Sequence, residues 1–257
     1  MLLNGPMRQL LAFGLIAASA HGQAQRVVHV VVALCDNVNQ GIVPVPKALG
    51  NGQDPARNLY WGAAYGVRTW FDGSPNWERV HRSGEAVPGT LERVVWKHRT
   101  ADVYLVADAY DGARIQDAVY AFLSYAGGHA ASSLALGERR IPVGGDAHLL
   151  AYCGHDGLME FAPPSPRAPA NAQPRDAIVL ACASKPYFDA PLRDTGARPL
   201  LWTTGLMAPE AYTLDAAVQA WAEAAPAEQV RERAAGAYAK WQKCSIGAAR
   251  RLLVTGR

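Results

Sequence analysis

A chain of 257 residues, 50% hydrophobic and 18% charged, is long enough to bury a full core without metal or disulfide staples. Its formal charge is only +3, and no Lys/Arg block is interleaved with aromatics, which argues against nucleic acid as a partner.

Residues 10–20, "LLAFGLIAASA", are an apolar run too short to span a bilayer well, preceded by Arg8 and ending in small residues. That order matches the n-region, h-region and cleavage site of a secretory signal peptide. Ala18-Ser19-Ala20 fits the small-x-small rule, and "GQA" at 22–24 offers a second cut. Residues 1–24 are therefore expected to be a signal peptide, the mature protein to be exported (periplasmic or secreted), and no membrane span to remain after signal removal. Export also changes the reading of Cys35, Cys153, Cys182 and Cys244, since an even number of cysteines in an oxidising compartment permits two disulfides.

"RVVHVVVALCDN" (26–37) is a β-branched run ending in polar residues, as a buried strand would. Residues 38–100 are rich in Gly, Pro, Asn and Trp, and are expected to be a loop insertion with a short helix near 59–67. "ADVYLVADAYDG" (101–112) is a second strand. The helix after it carries Ile115, Val119, Phe122 and Leu123 at helical spacing and is stopped by Gly127-Gly128. "AHLLAYCGHDG" (147–157) is a third strand, followed by a Pro/Ala-rich loop over 160–175. "DAIVLACASKP" and "RPLLWTTGLMAP" (198–209) are the fourth and fifth strands, and 210–225 and 226–243 are amphipathic helices. Near-continuous apolar strands separated by crossovers predict one α/β domain over 25–257, built on a mainly parallel sheet with covered faces.

Parallel sheets gather ligands beyond the carboxyl ends of their strands. The polar residues expected there are Asp36 and Asn37, Asp108 and Asp111, His155 and Asp156, Cys182 and Ser184, and Thr203 and Thr204. A cysteine and a histidine thus end two strands of one sheet. A thiol becomes an effective nucleophile when a neighbour takes its proton, and an imidazole can do so and later protonate a leaving amine. An oxyanion needs backbone N–H donors, and a glycine near the histidine lets a substrate approach.

A hydrophobic block ending in His and Gly ("HLLAYCGHDG"), then a second ending in Ala-Cys and small residues ("AIVLACAS"), resembles the caspase, legumain and gingipain class of cysteine peptidases. The resemblance covers about residues 101–225 by order of elements and suggests a divergent, secreted, bacterial-type member. It implies a caspase-like three-layer α/β sandwich and a peptide or protein substrate attacked through an acyl-enzyme. Cys182 and His155 would form the dyad, with oxyanion donors around Gly157 and Cys182. Asp156 stands between the histidine and the glycine, where the family has the two adjacent. No cofactor is implied.

Other readings of the same residues stay open. Cys182 also fits a buried core thiol or half of a disulfide, and a reversible Cys153–Cys182 pair would make an oxidoreductase. Cys153 and His155 share one strand face, but without a C-x-x-C anchor no metal site is expected. Asp36, Asp108, Asp111 and Asp156 could bind a basic substrate side chain; the first three also suit helix caps and turns. The rival to the enzyme is a non-catalytic binding module of the same fold, using the 38–71 loop for recognition.

Overall fold

The computed structural model describes residues 25–165 and 167–257. The signal-peptide expectation lies outside the described residues. The first strand, β1 (Arg26–Ala33), is buried along nearly its whole length on both faces, as its unbroken Val-rich sequence requires. Beside it in parallel lies β4 (Val103–Tyr110), and on its other side β7 (Leu149–Cys153), followed outward by β8 (Asp176–Leu180) and β9 (Arg198–Thr203), all parallel. Antiparallel strands close both edges. These are β3 (Thr90–His98) and β2 (Trp77–Ser83) beyond β4, and the short β10 (Leu253–Val254) beyond β9. The sheet has eight strands in the order β10-β9-β8-β7-β1-β4-β3-β2.

Alternation along the strands splits the core into two layers. Val28, Val30 and Val32 face one side, with Cys153, Ile178 and Leu180. That side is covered by α1 (Val67–Asp72), α4 (Ala211–Ala222), α5 (Ala227–Gln242) and α6 (Ile246–Leu252). Val27, Val31, Tyr152 and Val179 face the other side, under α2 (Ile115–Ala126) and α3 (Ser184–Thr195). A separate hairpin, β5 (Ser132–Leu136) with β6 (Arg139–Val143), links α2 to β7. A mostly parallel sheet with helices on both faces is consistent with the caspase-like sandwich that the resemblance implies.

The expected insertion is only partly loop. Residues 34–66 have no helix or strand, but α1, β2 and β3 occupy much of 67–100. Neither strand offers a clean apolar run: β2 ("WERVHRS") is an edge strand with polar residues toward solvent, and Glu92 and Arg93 interrupt β3. Both charges are tolerated because they are paired. Glu92 accepts from Trp61 Nε1 at 2.6 Å and Arg68 at 3.1 Å, and also pairs with Arg82.

Candidate active site at the carboxyl rim of the sheet

After β1 the chain passes to the edge strand β2, comes back through β3 to β4 beside β1, and then crosses β1 to β7. The strand order therefore reverses between β1 and β7, and the carboxyl ends of strands at such a reversal are where open α/β sheets bind their ligands. His155 lies in the segment that leaves β7 there. Cys153 and Leu180 are register partners, and the Gly154 N–H donates to the Leu180 carbonyl at 3.2 Å. His155 and Cys182 each follow two residues after that matched pair, so the two residues leave adjacent strand ends at corresponding positions.

Each is held by its own surroundings. The fully buried Tyr152 donates its hydroxyl to the His155 carbonyl at 2.7 Å. His155 Nε2 lies 2.5 Å from Glu160 Oε1, and the Gly41 N–H donates to the same oxygen at 2.6 Å. With Nε2–H donating to the carboxylate, Nδ1 keeps its lone pair and can accept a proton. Glu160 does not stand out in the sequence as a site residue. A carboxylate five residues beyond a strand-end histidine was the available signal, hidden because the turn Gly157–Met159 brings it back.

Cys182 occupies the turn from β8 into α3. Its Sγ accepts from the Met207 N–H at 3.4 Å and lies 3.5 Å from the Met207 carbonyl. The next residue, Ala183, takes a left-handed conformation (φ 48°), strained for a residue with a Cβ. The turn is fixed from β9: Thr203 Oγ1 accepts from the Ser184 N–H, and Ser184 Oγ accepts from the Thr203 N–H, each at 3.0 Å. Gly205 O accepts from the Ala183 N–H at 2.8 Å. Ser184 is thus a buried structural hydroxyl. No helix is legible in the sequence after Cys182, because Pro186 and Pro191 interrupt its pattern; the structure places both prolines in α3.

All four cysteines are free thiols. Cys153 is wholly buried and its thiol is pushed up by that burial; burial likewise pushes Cys35 up to about 11. Cys182 and Cys244 are the two partly exposed ones. Among the described residues no three His, Cys, Asp or Glu side chains group as a metal site would need, and no helix is long and apolar enough to cross a membrane.

The four aspartates have separate fates. Asp36 is 1% exposed and accepts from the Val38 and Asn39 N–H groups and from the side chains of Asn39 and Gln53. Burial alone would raise it, but those donors hold it below the usual carboxylate range. Asp108 lies within β4, wholly buried, held by Arg93 at 2.6 Å through both oxygens and by His29 at 2.9 Å. That occupancy keeps it away from the rim. Asp111 caps the turn Gly112–Arg114 and accepts from Gln53 at 2.6 Å. Asp156 is also wholly buried: one oxygen accepts from the Leu158 N–H at 3.0 Å, and the other has no partner among the described residues. Burial pushes it up to about 7, against the pull of that one N–H.

Gly157 begins the turn after Asp156. A Cβ there would stand 2.5 Å from the Phe161 ring, so close packing already accounts for the glycine. Segment 34–66 is held by side chains, mostly to itself and through Gln40 to Gly112 at the end of β4. Gln40 Nε2 donates to the Leu34 and Gly112 carbonyls, and Asn58 both accepts from the Cys35 N–H and donates to its carbonyl. Away from the rim, a cavity of about 680 Å³ opens between α2, α3 and the Pro-rich loop, lined by Tyr120, Leu123, His129, Pro164 and Arg167 among others. It contains neither Cys182 nor His155.

No family model, no curated protein and no solved structure matches this chain.

Proposed function

We propose that the protein is an exported cysteine hydrolase of the caspase-like class, cleaving peptide bonds with Cys182 and His155. The single observation that carries the reading is the register: two chemically complementary side chains leave the adjacent parallel strand ends of β7 and β8, next to the sheet's switch point. In this mechanism His155 Nδ1 takes the Cys182 proton while Glu160 holds Nε2–H and stabilises the imidazolium that forms. The sulfur attacks the carbonyl carbon, the C–N bond breaks, and His155 returns the proton to the leaving amine. Water, deprotonated by His155, then releases the acyl group and regenerates the thiol. Backbone N–H groups near Cys182 and Gly157 would receive the oxyanion.

Iodoacetamide alkylation with peptide mapping tests the dyad, and Cys244 serves as the internal exposed thiol. Faster alkylation of Cys182 than of Cys244 at pH 6, lost in His155→Ala, is the expected result. Equal rates, or indifference to His155→Ala, would end the peptidase reading. The binding-module alternative is favoured by one observation: segment 34–66 is bonded within itself and tied to Gly112, Asp111 and Glu160, which gives it a fixed shape. An inert Cys182 would turn attention there.

A further inference from the structure

The rim carries unpartnered apolar side chains, and their positions follow the dyad. Leu206 is 80% exposed and directly precedes Met207, whose backbone brackets Cys182 Sγ. Tyr187, in the first turn of α3 after Cys182, is also exposed. On the histidine side, exposed Met159 directly precedes Glu160, the partner of His155. Val38 and Val43, each 87% exposed, flank Gly41, whose N–H reaches that same carboxylate. Five exposed apolar side chains thus border the two halves of the candidate site, contributed by four different strand-end segments. Scattered apolar residues on a surface need no explanation, but a group gathered in the segments at one rim of the sheet marks a binding surface.

The charges at the rim point the same way by being occupied. Asp36 and Asp54 are bonded within their own segment, Asp111 accepts from Gln53 of that segment, and Glu160 is held by His155 and Gly41. Glu210 accepts from Tyr212 and Gln242, and Asp189 is paired with Arg193 and Arg257. Asp156 has an unpartnered oxygen, but that oxygen is sealed from solvent. A basic substrate side chain would find no free exposed carboxylate among these groups. Desolvating a lysine or arginine there without a counter-charge would cost more than its stem could recover.

We infer that the substrate is a peptide with bulky apolar side chains, of the leucine or phenylalanine kind, beside the scissile bond. This rests on the Cys182–His155 reading. It departs from the basic preference that the four aspartates suggest in the sequence.

The test uses the purified protein and peptidyl acyloxymethyl ketones that differ only in the residue beside the ketone: Leu, Phe, Lys or Asp. In each, the Cys182 sulfur displaces the carboxylate, a thioether forms and the carboxylate leaves. The expected result is labelling of Cys182 by the Leu and Phe probes at least about 10-fold faster than by Lys or Asp, a margin within reach of one well-filled apolar subsite. Leu206→Glu, whose exposed position spares the core, should narrow that margin with an unchanged melting temperature. Equal or faster labelling by the Lys or Asp probe would overturn the inference, and so would an unaltered margin in Leu206→Glu combined with unaltered margins in Met159→Glu and Val43→Glu. Iodoacetamide on the same preparations separates the two failures. If His155-dependent alkylation of Cys182 persists while the probe order is wrong, only the apolar preference falls. If that dependence is absent, the dyad falls and takes the preference with it.

Discussion

Asp108 and Asp156 are both wholly buried, the one in the sheet and the other at its rim, yet burial leads them to opposite states. Asp108 sits on β4 facing Arg93 of β3, with His29 of β1 on its other side; burial would raise it, but those partners bring it down to about 2. The Gly144 N–H donates to His29 Nδ1 at 2.8 Å, so His29 Nε2 carries the proton given to Asp108. Asp156 has one N–H donor and nothing for its second oxygen, and is raised to about 7. The partners, and not the depth, decide whether a buried carboxyl holds the fold together or strains it. In this chain the satisfied one is structural, and the unsatisfied one adjoins the candidate histidine.

The largest expected effect comes from removing the sheet partner. Arg93→Met should leave Asp108 buried with only His29 beside it, at a cost of about 3–5 kcal/mol in urea unfolding. A loss under about 1 kcal/mol would break the contrast at its satisfied end. Next is Asp156→Asn, which keeps the acceptor for the Leu158 N–H. The folded chain holds the Asp156 proton to higher pH than the unfolded chain does. Stability from this group is therefore full below about pH 4, falls as pH rises toward about 7, and is level above that. The asparagine variant should match the parent near pH 4 and exceed it by about 1–3 kcal/mol at pH 8. A variant no more stable at pH 8 would show that Asp156 has a partner after all.

Asp108 works with the opposite sign. Its folded value is depressed, so its stabilisation is present above about pH 4 and is lost as pH falls toward about 2. An acid unfolding limb worth about 2 kcal/mol is expected between those values, and Arg93→Met should flatten it. At the rim, Glu160→Gln should change stability by under about 1 kcal/mol, since the pair is partly exposed, while slowing His155-dependent alkylation of Cys182. An unchanged alkylation rate would remove Glu160 as a positioning residue. The smallest effect belongs to Ala183→Gly. Relief of the left-handed strain is offset by the freer unfolded chain, leaving a gain of about 0.5 kcal/mol by thermal melting.

What the sequence determined by itself was local. The Val-rich run of β1 and the apolar runs of β4, β7, β8 and β9 must be buried on both faces wherever they lie, so five parallel strands were legible, as was α2 from its spacing. The ends of those runs also put His155 and Cys182 at one rim. Tertiary structure decided what depends on distant partners. β2 and β3 are strands because β4 supplies an edge, and β10 has only two residues and exists through β9. Asp108 lies at the end of an apolar run and could have been a rim acid; Arg93, from a segment expected to be loop, makes it a core ion pair. Glu160 reaches His155 only because a turn folds back and segment 34–66 lies over it. A residue's burial is written largely in its neighbours along the chain, whereas the state of a buried charge depends on partners that only the fold brings within bonding distance.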